Sequence, residues 1–238
     1  MTKLYLVRHG ETVDNAAQIM QGQTPGKLNA KGIEQAEEVA GKMVNEPIDV
    51  FVSSDLYRSI QTCEIIARPH IEALSLTGNL TDEELDAHIV TTPLLRERDW
   101  GDFTGKFIPS LPKDPKDWPD NIETLERMKS RAQNFLTWLK VAYPDKTILA
   151  VGHGIINKAI QSVYFKRPMN QIEKMANAEV RVLILKVKNE ERRVKKQRSA
   201  AEGKANSYAL LIIKLKVQSS KFKVQSNKLK KSKFKANE

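Results

Sequence analysis

The sequence predicts an α/β fold, in the form of a three-layer α/β/α sandwich with a mostly parallel central sheet. Residues 4–7 (LYLV) and 148–151 (ILAV) are continuous apolar runs, which are typical of strands buried on both faces. Between the predicted strands, apolar residues recur at helical spacing. Strands that alternate with helices favour a sheet with helices packed on both sides.

The other elements follow in chain order. Apolar residues lie on one helical face in 33–43, 56–66 and 122–139, and each of these stretches predicts an amphipathic helix. Short runs rich in β-branched residues predict further strands at 50–52, between the first two helices, and at 180–187.

Two internal stretches lack a clear periodicity. Residues 69–93 are predicted to form a loop-like insert, in which only 82–88 could be a short helix. Residues 106–120 contain four of the ten prolines, which exclude a long helix, and they are predicted to form a short cap. We expect both stretches to belong to one domain that spans residues 1–187.

The tail, residues 188–238, is basic and of low complexity. From Lys186 onward the chain has 17 Lys and Arg against 4 Asp and Glu, so that residues 1–185 carry a net charge of −3 although the whole chain carries +10. We expect a disordered extension, because like charges repel and apolar residues are few. Nucleic-acid binding by the tail is the alternative, although no specific nucleic acid is expected.

Composition narrows the class of protein. Hydrophobic residues make up 40% and charged residues 29%, as in ordinary globular proteins, and no apolar run is long enough to predict a membrane span. The first residues lack the layout of a signal peptide. A single cysteine, Cys63, cannot form an internal disulfide, which suits a cytoplasmic location.

Two histidines share a local pattern, in which an apolar strand is followed by His and then Gly. His9 follows the first strand, and His153 follows the strand at 148–151. Side chains just beyond the carboxyl ends of parallel strands line the crevice in which ligands bind, so we expect both histidines in one crevice. The adjacent glycines, Gly10 and Gly154, are expected to let the backbone approach a ligand closely.

Two arginines indicate that this crevice binds phosphate. Arg8 precedes the first of the two histidines, and Arg58 lies at the start of a predicted helix for which Ser54 or Asp55 is the expected N-cap. The planar guanidinium group matches the oxygens of a phosphate. An imidazole in the same crevice can attack phosphorus and form a phosphohistidine.

Glu97 is the candidate proton donor for the leaving oxygen of a phosphate ester. It stands between Arg96 and Arg98, however, and this sequence also fits a solvated salt-bridge cluster. From the residues alone, both interpretations stay open.

Five segments match, in order, the pattern of a known family. They are 8–12 (RHGET) with Asn15, 28–36 (LNAKGIEQA), 53–62 (SSDLYRSIQT), 95–105 (LRERDWGDFTG) and 151–154 (VGHG). Over roughly residues 2–187 the chain resembles the histidine phosphatase superfamily, in its phosphoglycerate mutase-like branch.

The resemblance implies a role for each site residue. His9 would carry the phosphoryl group, Glu97 would act as general acid and then as general base, and no metal or other cofactor would be needed. The phosphate would be held by Arg8, Asn15, Arg58 and His153, and the substrate by Gln21, Gly22 and Gly154.

A metal-independent phosphomonoester hydrolase that acts on a small phosphorylated metabolite is the preferred function. The cap at 106–120 is short, with Lys106, Lys113 and Lys116 as its only cations, and an open site favours water as acceptor. A phosphoglycerate mutase is the alternative, and a protein that only binds phosphate is a third. No membrane partner is expected, and a homodimer is compatible with the sequence.

Overall fold

The computed structural model describes residues 1–73 and 81–186. Within these residues, the central sheet has five strands in the order β3-β2-β4-β1-β5. The strands are β1 (Thr2–Arg8), β2 (Val50–Ser54), β3 (Ile89–Thr92), β4 (Thr147–Gly152) and β5 (Val180–Leu185). Strands β1 to β4 pair in parallel, whereas β5 runs antiparallel to β1 at the edge, so the prediction of a mostly parallel sheet is confirmed.

Helices cover both faces of the sheet, which confirms the three-layer sandwich. They are α1 (Val13–Ala16), α2 (Ala30–Met43), α3 (Tyr57–Glu72), α4 (Asp82–Ala87), α5 (Leu125–Ala142) and α6 (Gly154–Phe165). In β1, Leu4 and Leu6 lie in the core with α5 and α6, and Tyr5 and Val7 lie in the core with α2 and α3, because successive side chains of a strand point to opposite faces. All four are at most 3% exposed, and burying each contributes about 1.5–3 kcal/mol.

The stretch 69–93 contains more regular structure than the predicted loop-like insert. Helix α3 continues through Pro69 to its end at Glu72, α4 covers the predicted short helix, and β3 adds a strand to the sheet. The prediction of a loop is therefore wrong for both ends of this stretch. Strand β3 has only four residues, of which Ile89 and Thr92 are buried, so its apolar pattern is too short to recognise.

Helix α6 is absent from the predicted helices. Its buried residues include Asn157, Gln161 and Ser162 as well as Ile156 and Ile160. Because polar residues occupy part of the buried face, the apolar spacing that indicates an amphipathic helix is interrupted.

The start of α3 also differs from the prediction. Its N-cap residue is Leu56, and no side chain caps the helix. Ser54 is the last residue of β2 and accepts a hydrogen bond from the Leu56 N–H at 3.3 Å, while Asp55 forms an ion pair with Arg96. The prediction that Ser54 or Asp55 caps α3 is therefore wrong.

The cap at 106–120 contains only short 3₁₀ turns, so the exclusion of a long helix is confirmed. Trp118 anchors it, with its ring centroid 5.6 Å from that of Trp100 and 6.2 Å from that of Phe103. The Arg98 guanidinium lies 4.6 Å from the Trp100 ring and 5.4 Å from the Trp118 ring. This cluster fastens the cap to the segment that follows Glu97.

Residues Met1–Lys186 form one compact unit. The predicted basic tail, 188–238, lies outside the described residues. In the part of the chain that the structure describes, no helix is long and apolar enough to cross a membrane. The cytoplasmic location and the homodimer stay predictions.

Candidate active site

His9 lies immediately beyond the carboxyl end of β1, and it is only 3% exposed. Its Nδ1 atom lies 2.7 Å from the carbonyl oxygen of Gly10. Because a carbonyl oxygen can only accept a hydrogen bond, Nδ1 carries the ring proton. Nε2 is therefore the basic nitrogen, and Arg58 Nε donates to it at 3.3 Å.

His153 meets His9 at the ends of the two adjacent parallel strands. The ring centroids are 5.0 Å apart, and the rings are edge to face. His153 is fully buried, and neither of its ring nitrogens has a hydrogen-bond partner. Burial, and then the positive charge of Arg58, lowers the pKa of both histidines well below 6.5, so both rings are neutral at neutral pH.

Arg58 projects from the first turn of α3 and is 1% exposed. Its guanidinium donates to backbone carbonyls of one loop, namely those of Gly22 at 2.9 Å, Thr24 at 2.5 Å and Pro25 at 3.3 Å. Burial lowers the pKa of Arg58 to about 10, so the group remains charged at neutral pH. The loop therefore fixes a positive charge beside His9.

Arg8 is the last residue of β1. One terminal nitrogen donates to the carbonyl of Met175 at 2.8 Å, whereas its Nε is buried without a partner. A Cβ atom on residue 154 would lie 3.5 Å from that Nε. Arg8 therefore borders the start of α6.

Asn15 and Gln21 are connected through Thr12. Asn15 Oδ1 accepts hydrogen bonds from the Thr12 N–H and from Asn177 Nδ2, both at 3.3 Å. Gln21 is 7% exposed, and its Nε2 donates to Thr12 Oγ1 at 2.5 Å, while its Oε1 is buried without a partner. With its oxygen engaged, Asn15 keeps its amide N–H groups as donors.

The carboxylate of Glu97 lies at the N-terminus of α6. It accepts hydrogen bonds from the backbone N–H of Ile155 at 3.1 Å and of Ile156 at 3.2 Å, and a third from the next residue along the chain at 2.8 Å. The first N–H groups of a helix have no partner inside the helix, so they attract an anion. Glu97 Oε2 would lie 3.6 Å from a Cβ atom on Gly154.

The arginines that flank Glu97 bind elsewhere. Arg96 forms an ion pair with Asp55, with nitrogen–oxygen distances of 2.6 and 2.8 Å. Arg98 Nε donates to the carbonyl of Glu123 at 2.8 Å. Within the described chain, neither arginine forms an ion pair with Glu97, so the interpretation as a salt-bridge cluster around Glu97 is wrong.

Residues 4–199 match the pattern of the histidine phosphatase superfamily (branch 1). The chain belongs to this superfamily. It is 36% identical over 183 residues to the uncharacterized phosphatase PhoE of Bacillus subtilis (strain 168), which covers 75% of this chain and 86% of that protein. It is 32% identical over 167 residues to the probable phosphoglycerate mutase GpmB of Proteus mirabilis (strain HI4320), with 65% and 71% covered.

A solved structure agrees with this assignment. The phosphoserine phosphatase of Entamoeba histolytica, in complex with 3-phosphoglyceric acid, has a TM-score of 0.62 and 25% identity, over 77% of this chain and 91% of that one. Because the relatives include phosphatases and mutase-like proteins, this histidine phosphatase is an enzyme of phosphate-ester hydrolysis or phosphoryl transfer.

The two glycines beside the histidines serve different purposes in this histidine phosphatase. A Cβ atom on Gly10 would lie 2.4 Å from the carbonyl oxygen of Gly32, in α2. The backbone at Gly10 therefore approaches a helix closely. The expected approach of Gly10 to a ligand stays a prediction. Gly154, in contrast, has the side chains of two site residues and of Lys174 within 3.6 Å of its Cβ position.

The segment 174–178 borders the site, although no sequence motif indicates it. Asn177 Nδ2 donates to the carbonyl of His9 at 3.2 Å. The reason is the pairing of the edge strand, because β5 runs antiparallel to β1 with Val180 opposite Val7. Residues just before Val180 must then lie beside residues just after Val7. Both strands were predicted, but their pairing was not.

Arg131, in α5, is a second residue that the sequence analysis did not single out. It forms an ion pair with Glu123 at 2.7 Å. It also donates to the carbonyls of Leu94 at 3.1 Å, Arg96 at 2.5 Å and Glu97 at 3.4 Å. Arg131 thereby holds the backbone that carries Glu97. A lone arginine on a helix has no sequence signal for such a role.

The remaining histidines and the cysteine are placed elsewhere. His70, near the end of α3, packs on the ring of Phe51 at 5.4 Å, and His88 follows α4 on the surface. Cys63 is buried in α3, and burial raises the pKa of its thiol. The described residues contain no group of three or more His, Cys, Asp or Glu that could hold a metal ion.

Proposed function

We propose that this histidine phosphatase is a metal-independent phosphomonoester hydrolase, which acts on a small phosphorylated metabolite through a phosphohistidine on His9. One observation carries the proposal. Beside the neutral His9 ring, Arg8 Nε and both ring nitrogens of His153 are buried without hydrogen-bond partners. Buried polar atoms without partners are rare in folded proteins. A phosphoryl group would supply acceptor oxygens for Arg8, His153, Arg58 and Asn15.

The first step forms the phosphohistidine. His9 Nε2 attacks phosphorus, and the bond between phosphorus and the ester oxygen breaks. Glu97, which must enter this step as the carboxylic acid, gives its proton to the leaving oxygen. The hydrogen bond from Nδ1 to the Gly10 carbonyl keeps Nε2 free of the ring proton and supports the positive charge that develops on the ring.

The second step releases phosphate. A water molecule attacks phosphorus, the phosphorus–nitrogen bond breaks, and the carboxylate of Glu97 accepts a proton from the water. The electron pair of the broken bond returns to His9 Nε2. Positive groups around the phosphoryl oxygens stabilise both transition states, which is the contribution that a metal ion makes in other enzymes.

Gln21, Gly22 and Gly154 are proposed to contact the substrate. Gly22 also orients Arg58, because its carbonyl accepts a hydrogen bond from that arginine. Gln21 Oε1 has no partner and is able to accept a hydrogen bond from a substrate hydroxyl. Gly154 keeps the start of α6 free of a side chain.

Hydrolysis is preferred to mutase activity because the cap is short and two of its three lysines contact other side chains of the cap region. Lys116 pairs with Asp114 at 3.1 Å, and Lys106 lies 5.9 Å from the ring of Phe103. A mutase must close its site against water. The likeness to a probable phosphoglycerate mutase makes phosphoglycerate mutase activity the second candidate.

The test is release of inorganic phosphate from a panel of phosphomonoesters by wild-type and His9→Ala protein, with EDTA present. The panel includes 3-phosphoglycerate, which is also scored for conversion to 2-phosphoglycerate with the bisphosphate primer. Acid quenching is avoided when the intermediate is trapped, because phosphohistidine is labile in acid and stable in base.

EDTA-resistant hydrolysis that is lost in His9→Ala, with phosphate trapped on the wild-type protein alone, is the expected result. Isomerisation faster than hydrolysis would make the enzyme a mutase. Activity that persists in His9→Ala would overturn the role of His9, and activity abolished by EDTA would overturn the metal-independent mechanism.

A further inference from the structure

We propose that Lys174 binds a second anionic group of the substrate, so that the preferred ester carries a carboxylate or a second phosphate close to the phosphate that is removed. The inference rests on the proposed function, since it assigns the alcohol side of the same site.

The position of Lys174 is defined by the first residue of α6. A Cβ atom on Gly154 would lie 3.5 Å from Lys174 Cε, 3.5 Å from Arg8 Nε and 3.6 Å from Glu97 Oε2. The end of the lysine side chain therefore lies beside the proposed general acid and one phosphate-binding arginine. Because Glu97 gives its proton to the ester oxygen, side chains next to Glu97 face the alcohol part of the substrate.

Lys174 is an exposed residue that has no counterion at ion-pair distance in the described part of the chain. It forms no hydrogen bond or ion pair there. The nearby carboxylate of Glu97 is already bonded to backbone N–H groups. Burial of its end lowers the pKa of Lys174, and the positive charges of Arg8 and Lys158 lower it further. The negative charge of Glu97 acts in the opposite direction.

An anion beside Lys174 would remove this imbalance of charge. An ammonium group without a partner is stabilised by a carboxylate or phosphate oxygen at hydrogen-bond distance. The phosphoryl group itself is assigned to the groups around His9. The anion at Lys174 must then belong to another part of the same substrate.

The experiment compares esters that differ only in the second anion. One pair is 3-phosphoglycerate and glycerol 3-phosphate, in which a carboxylate is replaced by a hydroxymethyl group. The other pair is the bisphosphate and the monophosphate of propane-1,3-diol. For each pair, kcat/KM of the ester with the second anion is divided by kcat/KM of the ester without it. This ratio is measured for wild type, Lys174→Met, Lys174→Arg and Lys158→Met. Lys158→Met is the control, because it also removes one lysine charge, from the turn of α6 that follows Gly154.

Lys174→Met is expected to lower the ratio about tenfold for one pair, chiefly through KM, since a hydrogen bond to a charged group contributes roughly this much. Lys174→Arg should restore most of the ratio. The pair whose ratio falls more identifies the second anion as a carboxylate or a phosphate. An equal loss for both members of each pair, or an equal effect of Lys158→Met, would overturn the proposal.

Binding separates this inference from the proposed function. Dissociation constants of the same esters are measured by calorimetry with His9→Ala protein and with the double variant that also carries Lys174→Met. A preference for the dianionic member that disappears in the double variant supports Lys174, whatever the catalytic result. If His9→Ala protein shows no preference for the dianionic member, the inference is overturned, even if the wild-type enzyme hydrolyses every ester.

Discussion

Arg131→Met is expected to destabilise the protein and to impair catalysis, although Arg131 does not touch the phosphate site. Met keeps the aliphatic stem but removes every N–H donor. The variant leaves the Glu123 carboxylate without its cation and takes the donors away from the carbonyls of Leu94, Arg96 and Glu97.

The expected loss of stability follows from burial. The Arg131 and Glu123 side chains are 16% and 12% exposed. Breaking a fully buried ion pair costs about 3–5 kcal/mol, whereas exposed pairs contribute about 1 kcal/mol or less. Since this pair is mostly but not fully buried, we expect a loss of about 2–4 kcal/mol. For a domain of this size, that lowers the Tm by roughly 5–15 °C.

The catalytic effect follows from the position of Glu97. Once its backbone is released, the carboxylate no longer holds a fixed position at the start of α6. A displacement of about 1 Å at a reacting group can reduce the rate about 100-fold, so kcat should fall by roughly 10- to 100-fold. Urea unfolding followed by circular dichroism gives the stability, and steady-state hydrolysis of the best ester gives kcat.

The control is Lys146→Met, which breaks an exposed pair with Asp49 whose side chains are 52% and 36% exposed. It should cost less than about 1 kcal/mol and leave kcat unchanged. A double-mutant cycle of Arg131→Met with Glu123→Gln separates the pair from the carbonyl bonds. An Arg131→Met variant that unfolds like the control and keeps the wild-type kcat would refute the role of Arg131 in holding Glu97.

Three further predictions rest on backbone packing, burial and the cap. Gly10→Ala should lower the free energy of unfolding by about 1–3 kcal/mol and kcat at least tenfold, because its Cβ would lie 2.4 Å from the Gly32 carbonyl. The control, Gly41→Ala, has no atom within 4 Å of its Cβ and should stabilise α2 in urea unfolding. The unfolding free energy should fall as the pH drops below 6.5, by up to about 1.4 kcal/mol per pH unit for each site histidine. The reason is that the pKa of both histidines is lowered in the folded protein, so only the unfolded chain takes up protons in this range. An unfolding free energy whose slope between pH 6.5 and 5 is the same in His9→Ala would contradict this. Trp118→Ala should free the cap from Arg98, which limited proteolysis would show as faster cleavage within 106–120, with an unchanged cleavage pattern as the contrary result.

Much of the fold is predictable because its strongest signals are local. The runs at 4–7 and 148–151 are apolar at every position, which is required of central strands buried on both faces, and the two pair side by side in the sheet. Two other elements carry weaker signals. Strand β3 is short and half exposed, and α6 buries polar residues, so neither shows a clear period.

Some residues of the candidate site are recognisable from the sequence, and others are not. His9 and His153 are recognisable because each follows a strand, and the structure brings their rings to 5.0 Å. Lys174 and Arg131 have no comparable signal. They reach the site through long-range contacts, from a loop before the edge strand and from a helix on one face of the sheet.

The sequence by itself therefore determined the class of fold, the family and the residues at the ends of the central strands, since each depends on short stretches of contiguous residues. Only the tertiary structure decided the surroundings of those residues. The tautomer of His9, the amides that hold Glu97 and the cation at Lys174 depend on atoms from segments far apart in the chain. Burial and pairing of such groups are properties of the packed molecule, and no local pattern encodes them.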